Sequence, residues 1–240
     1  MVFRSCMCYH TCNDTSRRPR QRGRFRKEVA IMGVEISLAG KNAVVTGGGG
    51  GMGRTTSMLL GQAGANVMVA DMDVAAAEKT AADIAAQFGV KTAFCKCDVT
   101  VKAEVDAMVE ATLKAFGRID ILNNIAGAST KVDFLEMPEE IYDFMMDVNA
   151  KGTFLVDQAV LRVMIPNKSG KIVNMSSMSG KEGYPTNIAY TASKFAVTGM
   201  TQAIAKYAAP YNINVNCVCP GIVHTRIWDK LLDDVKQAGG

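Results

Sequence analysis

From residue 41 onward, short apolar runs rich in β-formers alternate one for one with longer stretches whose apolar residues recur at three- and four-residue steps. The strand candidates are Asn42–Thr46, Asn66–Asp71, Thr92–Val99, Ile119–Asn124, Lys171–Ser176 and Ile213–Val218. Between them lie helical patterns over Gly53–Ala63, Val74–Phe88, Val101–Phe116, a pair near Glu139–Ile165, and Ile188–Ala208. A chain that leaves each strand through a helix lays the next strand parallel to the last, because such crossovers are right-handed and pack back onto the same sheet. The expected fold class is α/β: one doubly wound parallel sheet with helices on both faces. The 240 residues, 48% of them hydrophobic, suffice for one well-packed domain.

Charge is unevenly placed. The formal net charge is +4, yet residues 1–28 carry Arg4, Arg17, Arg18, Arg20, Arg22, Arg24, Arg26 and Lys27 against Asp14 and Glu28, which leaves the rest slightly acidic. Residues 1–31 show no amphipathic period, and Pro, Gly and Arg are mixed in RRPRQRGRFRK, so the segment is expected to be a disordered basic extension, read as an over-long gene start. The domain is expected over residues 32–240, beginning at Met32. Charges interrupt every apolar run of the tail, so it does not read as a secretory signal. No run approaches the roughly 20 apolar residues of a membrane-spanning helix, and no membrane partner is expected. A nucleic-acid partner would rest on the tail alone and is not expected either.

The seven cysteines are an odd number, split between the tail (Cys6, Cys8, Cys12) and the body (Cys95, Cys97, Cys217, Cys219). That usage reads as reduced thiols in a cytoplasmic protein rather than a disulfide scaffold. Cys6, Cys8, His10 and Cys12 lack the reversing turn that separates ligand pairs in zinc sites, so no metal is expected.

The first strand candidate runs into Thr46-Gly47-Gly48-Gly49-Gly50-Gly51-Met52-Gly53-Arg54 and then a helix. Successive glycines let the backbone approach a pyrophosphate closely, and the helix N-terminus offers unpaired N–H groups with a partial positive charge. The loop therefore reads as a dinucleotide cradle. No Gly-Lys-Ser/Thr follows, which excludes a Walker-type loop. Asp71 ends the second strand 24 residues after Gly47, where a carboxylate can accept from adenosine ribose hydroxyls and repel a 2′-phosphate. With no Arg or Lys at 71–74, NAD is expected over NADP. Asp98 and Val99, closing the third strand candidate, are expected to bracket the adenine.

Tyr190 and Lys194 stand four apart in a helical segment and share one face. A phenol with a pKa near 10 is a poor base at neutral pH, and a neighbouring ammonium favours its phenolate. Lys194 is therefore expected to bring Tyr190 into range for acid/base work, with Ser177 at the end of the fifth strand beside it.

Taken together, Thr46-Gly-x₃-Gly51-x-Gly53, Asn124-x-Ala126-Gly127, Asn149, Ser177, Tyr190-x₃-Lys194 and Pro220-Gly221 resemble, in order and spacing, the short-chain dehydrogenase/reductase family. The resemblance runs from about residue 36 to the end. It implies a Rossmann-type fold and NAD(P)-dependent hydride transfer between an alcohol and a carbonyl. By the same resemblance Tyr190 gives or takes the hydroxyl proton, and Ser177 holds the substrate oxygen. Lys194 binds the nicotinamide ribose, and Asn149 orders a water in the proton relay. Gly47, Gly51, Met52, Gly53, Asn124, Ala126, Gly127, Pro220, Gly221, Val223 and Thr225 contact the cofactor. Ser177 is preferred over Ser176 because the family's serine lies thirteen residues before the tyrosine. A homo-oligomer, tetramer or dimer, is implied through the helices carrying Asn149 and Tyr190.

Two departures stand out. Ile125 occupies the place of the family's second asparagine, and 19 residues follow Gly221, fewer than the family carries there. A C-terminal strand and helix are therefore expected to be missing, exposing the flank of the sixth strand. The stretch from Tyr190 to Trp228 is similar to the polyol and acyloin branch, which implies a small diol, polyol or hydroxyketone; hydroxysteroids and 3-hydroxyacyl thioesters stay open. A catalytically silent nucleotide-binding protein is the alternative of a different class, resting on the short C-terminus. A serine hydrolase is unsupported, since His224 is the body's one histidine and no Gly-x-Ser-x-Gly occurs.

Overall fold

The computed structural model describes residues 36–223. Six strands, β1 (Asn42–Thr46), β2 (Asn66–Asp71), β3 (Thr92–Lys96), β4 (Ile121–Asn124), β5 (Gly170–Met175) and β6 (Ile213–Val218), form one sheet in the order β3-β2-β1-β4-β5-β6. Every pairing is parallel. The order reverses direction between β1 and β4, the position where open α/β sheets bind ligands at the carboxyl ends of their strands. The doubly wound α/β expectation holds.

The helices are α1 (Gly51–Gln62), α2 (Val74–Phe88), α3 (Lys102–Phe116), α4 (Glu139–Met145), α5 (Gly152–Met164) and α6 (Ile188–Ala208). Asp73 caps α2 by accepting from the Ala76 amide at 3.0 Å, and left-handed Gly89 ends the helix. On one face, Ala77, Ala81 and Ile84 of α2 pack on Val45, Val67 and Val69. On the other, Val105 and Met108 of α3 and Val156, Val160 and Met164 of α5 pack on Val44, Met68, Leu122 and Ile172. Alternation of side chains along β1 and β2 thus feeds two cores at once, which is why these strands read as unbroken apolar runs.

Three differences from expectation have clear physical causes, beside shifts of one or two residues at the ends of α1, α3 and β5. β3 stops at Lys96, because the Asp98 amide turns from the sheet to the Glu104 carboxylate at 2.7 Å and the Asp98 side chain takes the Thr100 amide at 2.9 Å. The pair expected near Glu139–Ile165 is one continuous helical run, α4 and α5 joined by a π-helical turn over Met146–Lys151 that carries Asn149. The fourth strand begins at Ile121, as Asp120 spends its carboxylate on the Asn42 amide at 3.0 Å. The readings of residues 1–31, of the tail cysteines, and of His224, Thr225, Trp228 and everything after Val223 lie outside the described residues. Within these, β6 is an edge strand. Among the described residues no helix is long and apolar enough to cross a membrane, no group of side chains could hold a metal, and Cys95, Cys97, Cys217 and Cys219 are unbridged.

Candidate active site

Because all strands are parallel, Thr46, Asp71, Asn124, Met175 and Val218 end on one edge of the sheet. The loops leaving that edge bound a cavity of about 420 Å³ whose wall includes Met52, Gly127, Ser177, Tyr190, Lys194 and Val223. Residues from after β1, β4, β5 and β6 thus meet over the switch point.

The glycine loop is as tight as backbone allows. A Cβ on Gly53 would stand 1.9 Å from the Gly47 carbonyl oxygen, and one on Gly47, itself at φ +64°, would stand 2.9 Å from Ala126 Cα. Both glycines are required by close approach. Gly50 precedes α1 without a side-chain cap, and the first turn of α1 holds no acidic residue, so its N–H groups face outward with nothing competing for an anion. Asp71 closes the far side of the loop: one carboxylate oxygen accepts from the Gly49 amide at 2.9 Å and the other from the Asp73 amide at 3.0 Å. The nearest cation along α1, Arg54, is engaged by Asp83 at 2.8 Å. These residues fit a dinucleotide, with its pyrophosphate at the α1 N-terminus. Asp98 and Val99 lie just past β3, where hydrogen bonds from Thr100 hold the Asp98 carboxyl below its usual range and Val99 is buried against Gly152.

Thr46 fastens the loop after β4 to β1. Its hydroxyl donates to Asn124 Oδ1 at 2.8 Å and accepts from the amides of Ile125 and Ala126 at 3.0 and 3.2 Å. Sequence reasoning gave Thr46 no role, and its signal was the shared strand end, since Thr46 and Asn124 are register partners. Asn124 goes on to Asp157 at 3.4 Å, and Asp157 accepts from Asn174 at 2.7 Å. Burial pushes the Asp157 carboxyl up to about 7. Asn124 therefore serves the scaffold beneath Ala126 and Gly127, with its side chain turned into the protein.

The Ser177 hydroxyl accepts from the Ser179 amide at 3.1 Å and is near enough to the Tyr190 phenol to lower its pKa. Ser176 and Ser177 both line the cavity, but Ser176 is buried and its hydroxyl is taken up by the Lys194 carbonyl at 3.1 Å and by Thr198 at 2.8 Å. Lys194 Nζ lies 5.6 Å from the Tyr190 ring centroid and donates to the Met175 carbonyl at 2.8 Å. The expected electrostatics are corrected here. Burial raises the Tyr190 phenol and outweighs Ser177, while desolvation brings the Lys194 ammonium down to about 8, with no lowering of Tyr190 by Lys194.

Asn149 is wholly buried and clamps Ala128 in both directions: its Oδ1 accepts from the Ala128 amide at 2.9 Å and its Nδ2 donates to the Ala128 carbonyl at 2.9 Å. Nδ2 also reaches Ser193 Oγ at 3.1 Å. The side chain is thereby spent on positioning the loop after β4, and any water it orders must bind through the rest of the residue. On the other rim, the Met178 amide donates to the Pro220 carbonyl at 3.0 Å, which fixes Pro220 and Gly221 over the cavity. Tyr184 and Asn187, which also line it, were not foreseen. Both lie in a turn segment whose path only the folded chain defines.

A parallel sheet with this strand order, a glycine cradle after β1 and a Ser–Tyr–Lys cluster after β5 define a nucleotide-dependent oxidoreductase fold and site. Residues 41–236 match the family model for short chain dehydrogenases, and the chain belongs to that family. It is 38% identical over 202 residues to the (2S)-[(R)-hydroxy(phenyl)methyl]succinyl-CoA dehydrogenase subunit BbsD of Thauera aromatica, covering 84% of this chain and 81% of that protein. It is 36% identical over 197 residues to the NAD-dependent glycerol dehydrogenase of Listeria innocua, covering 82% and 76%. Among solved structures, NAD+-bound xylitol dehydrogenase superposes with a TM-score of 0.80 at 34% identity, over 84% of this chain and 78% of that one. The protein is an oxidoreductase acting on CH–OH groups and their carbonyls.

Proposed function

We propose that the protein is an NAD-dependent dehydrogenase interconverting a secondary alcohol and a ketone on a small diol, polyol or hydroxyketone. The observation that carries this reading is the meeting of Ser177, Tyr190 and buried Lys194 at one cavity that opens next to the glycine cradle. When bound, the nicotinamide supplies or takes the hydride. Tyr190 holds the substrate oxygen and exchanges its proton, and Ser177 donates to that oxygen and orients it. Lys194, poised near 8, binds the ribose and offers the proton reservoir behind Tyr190. The backbones of Pro220, Gly221 and Val223, with Thr225, hold the nicotinamide. Gly47, Gly51, Met52 and Gly53 hold the pyrophosphate, Asp98 and Val99 bracket the adenine, and Ala126 and Gly127 contact the cofactor.

NAD over NADP is supported by Asp71, whose carboxylate sits at the loop, while nearby Arg54 is engaged by Asp83. The glycerol and xylitol dehydrogenases among the relatives support the polyol reading, and the CoA-thioester relative supports a 3-hydroxyacyl substrate as the second. A homo-oligomer is supported by Phe154 on α5 and Phe195 on α6, both about half exposed on neighbouring helices. The unbridged cysteines support a cytoplasmic location.

NADH fluorescence on titration, with NADPH alongside and then a panel of diols, polyols, steroids and hydroxyacyl thioesters, tests the reading. Saturable binding tighter for NADH and NAD-dependent oxidation of diols are expected. Tyr190→Phe is expected to keep NADH binding and to lose turnover by about 10²–10⁴-fold. Absence of binding by both nucleotides would refute it.

A further inference from the structure

We propose that Asn187 is a specificity-determining residue of this site, reading a second hydroxyl next to the reacting carbon; this rests on the alcohol dehydrogenase reading above. Asn187 lines the cavity, and its Oδ1 is shut from water with no hydrogen-bond partner. An acceptor left in that state costs free energy that a matching donor recovers. Its structural work is done by backbone alone. Asn187 stands at the N-terminus of α6 without a side-chain cap, while its carbonyl accepts from the Thr191 amide at 2.7 Å. Among the described residues no hydrogen bond holds Oδ1, and the terminal torsion of an asparagine is soft enough for the amide to turn toward a donor in the cavity.

The position sets the chemistry. Asn187 stands three residues before Tyr190, just ahead of α6, and both residues line the same cavity. A substrate whose reacting oxygen is held by Tyr190 and Ser177 then brings toward Asn187 a group one or two carbons away. An uncharged hydroxyl, donor to Oδ1, is the group that pairs there; an apolar chain would leave the acceptor unmet. Vicinal diols and α-hydroxyketones are the class this arrangement selects over simple secondary alcohols.

The test compares kcat/KM for butane-2,3-diol with that for butan-2-ol in the intact chain, Asn187→Leu and Asn187→Ser, each variant checked for its melting temperature. The readout is the diol-to-monoalcohol ratio, which a general loss of activity leaves in place. The ratio is expected to favour the diol in the native protein, to fall about tenfold or more in Asn187→Leu, and to recover in part in Asn187→Ser. An unchanged ratio in Asn187→Leu overturns the inference and leaves the dehydrogenase reading standing. If neither alcohol turns over in the native protein, the diol class falls and the inference falls with it.

Discussion

Lys194 Nζ stands 5.6 Å from the Tyr190 ring centroid, yet its one hydrogen bond goes to the Met175 carbonyl, and among the described residues no carboxylate pairs with it. An ammonium that is almost fully buried without an anion is an electrostatic liability retained at the centre of the site.

Replacing that ammonium is expected to stabilise the fold and abolish turnover. Lowering its pKa to about 8 corresponds to a penalty on the order of 3 kcal/mol, and the bond to Met175 offsets part of it. Lys194→Met should therefore raise the melting temperature at pH 7 by roughly 2–4 °C. The folded pKa lies below the unfolded one, so the penalty applies at low pH and fades as pH rises from about 8 past 10.5. The advantage of Lys194→Met should shrink over that window. A variant that melts lower at pH 7 would contradict the balance.

Asp157 titrates in the opposite sense. Its folded pKa, about 7, lies above the unfolded 3.8, so the neutral carboxyl stabilises the fold below pH 4 and that stability is lost as pH rises through 7. Urea unfolding of the native chain and Asp157→Asn across pH 4–8 should show a difference that declines in this window, on the order of 4 kcal/mol in all. Parallel stability curves would remove Asp157 as the titrating group.

Cofactor discrimination should follow the Asp71 carboxylate. Asp71→Ala removes the acceptors of the Gly49 and Asp73 amides along with a charge facing any 2′-phosphate. The ratio of NADPH to NADH dissociation constants should narrow by about tenfold, equivalent to ~1.4 kcal/mol. A ratio that does not move would place discrimination elsewhere.

Gly53 and Gly50 should respond differently to the same methyl group. Gly53→Ala drives Cβ into the Gly47 carbonyl, backbone against backbone, whereas a Cβ on Gly50 meets nothing within 4 Å. Gly53→Ala is expected to lower the melting temperature by several degrees and weaken NADH binding by about a hundredfold. Gly50→Ala should melt with the native chain. Equal behaviour of the two variants would show that the loop can open without cost.

By itself the sequence determined the alternation of strands and helices, the glycine loop, Asp71 and the Tyr190–Lys194 pair, since each is encoded within a few neighbouring residues by period, spacing or backbone permissiveness. The preference for Ser177 over Ser176 came from the family resemblance, and in the fold the Ser176 hydroxyl is engaged by the Lys194 carbonyl of α6. Only the tertiary structure decided what Asn149, Asn124 and Thr46 do, because their partners lie across strands and loops up to 80 residues away. It also decided the sign of the Tyr190 shift. A side-chain pair four residues apart is visible in sequence, but how deeply the packed chain buries it is not, and at this site desolvation outweighs the lowering by Ser177.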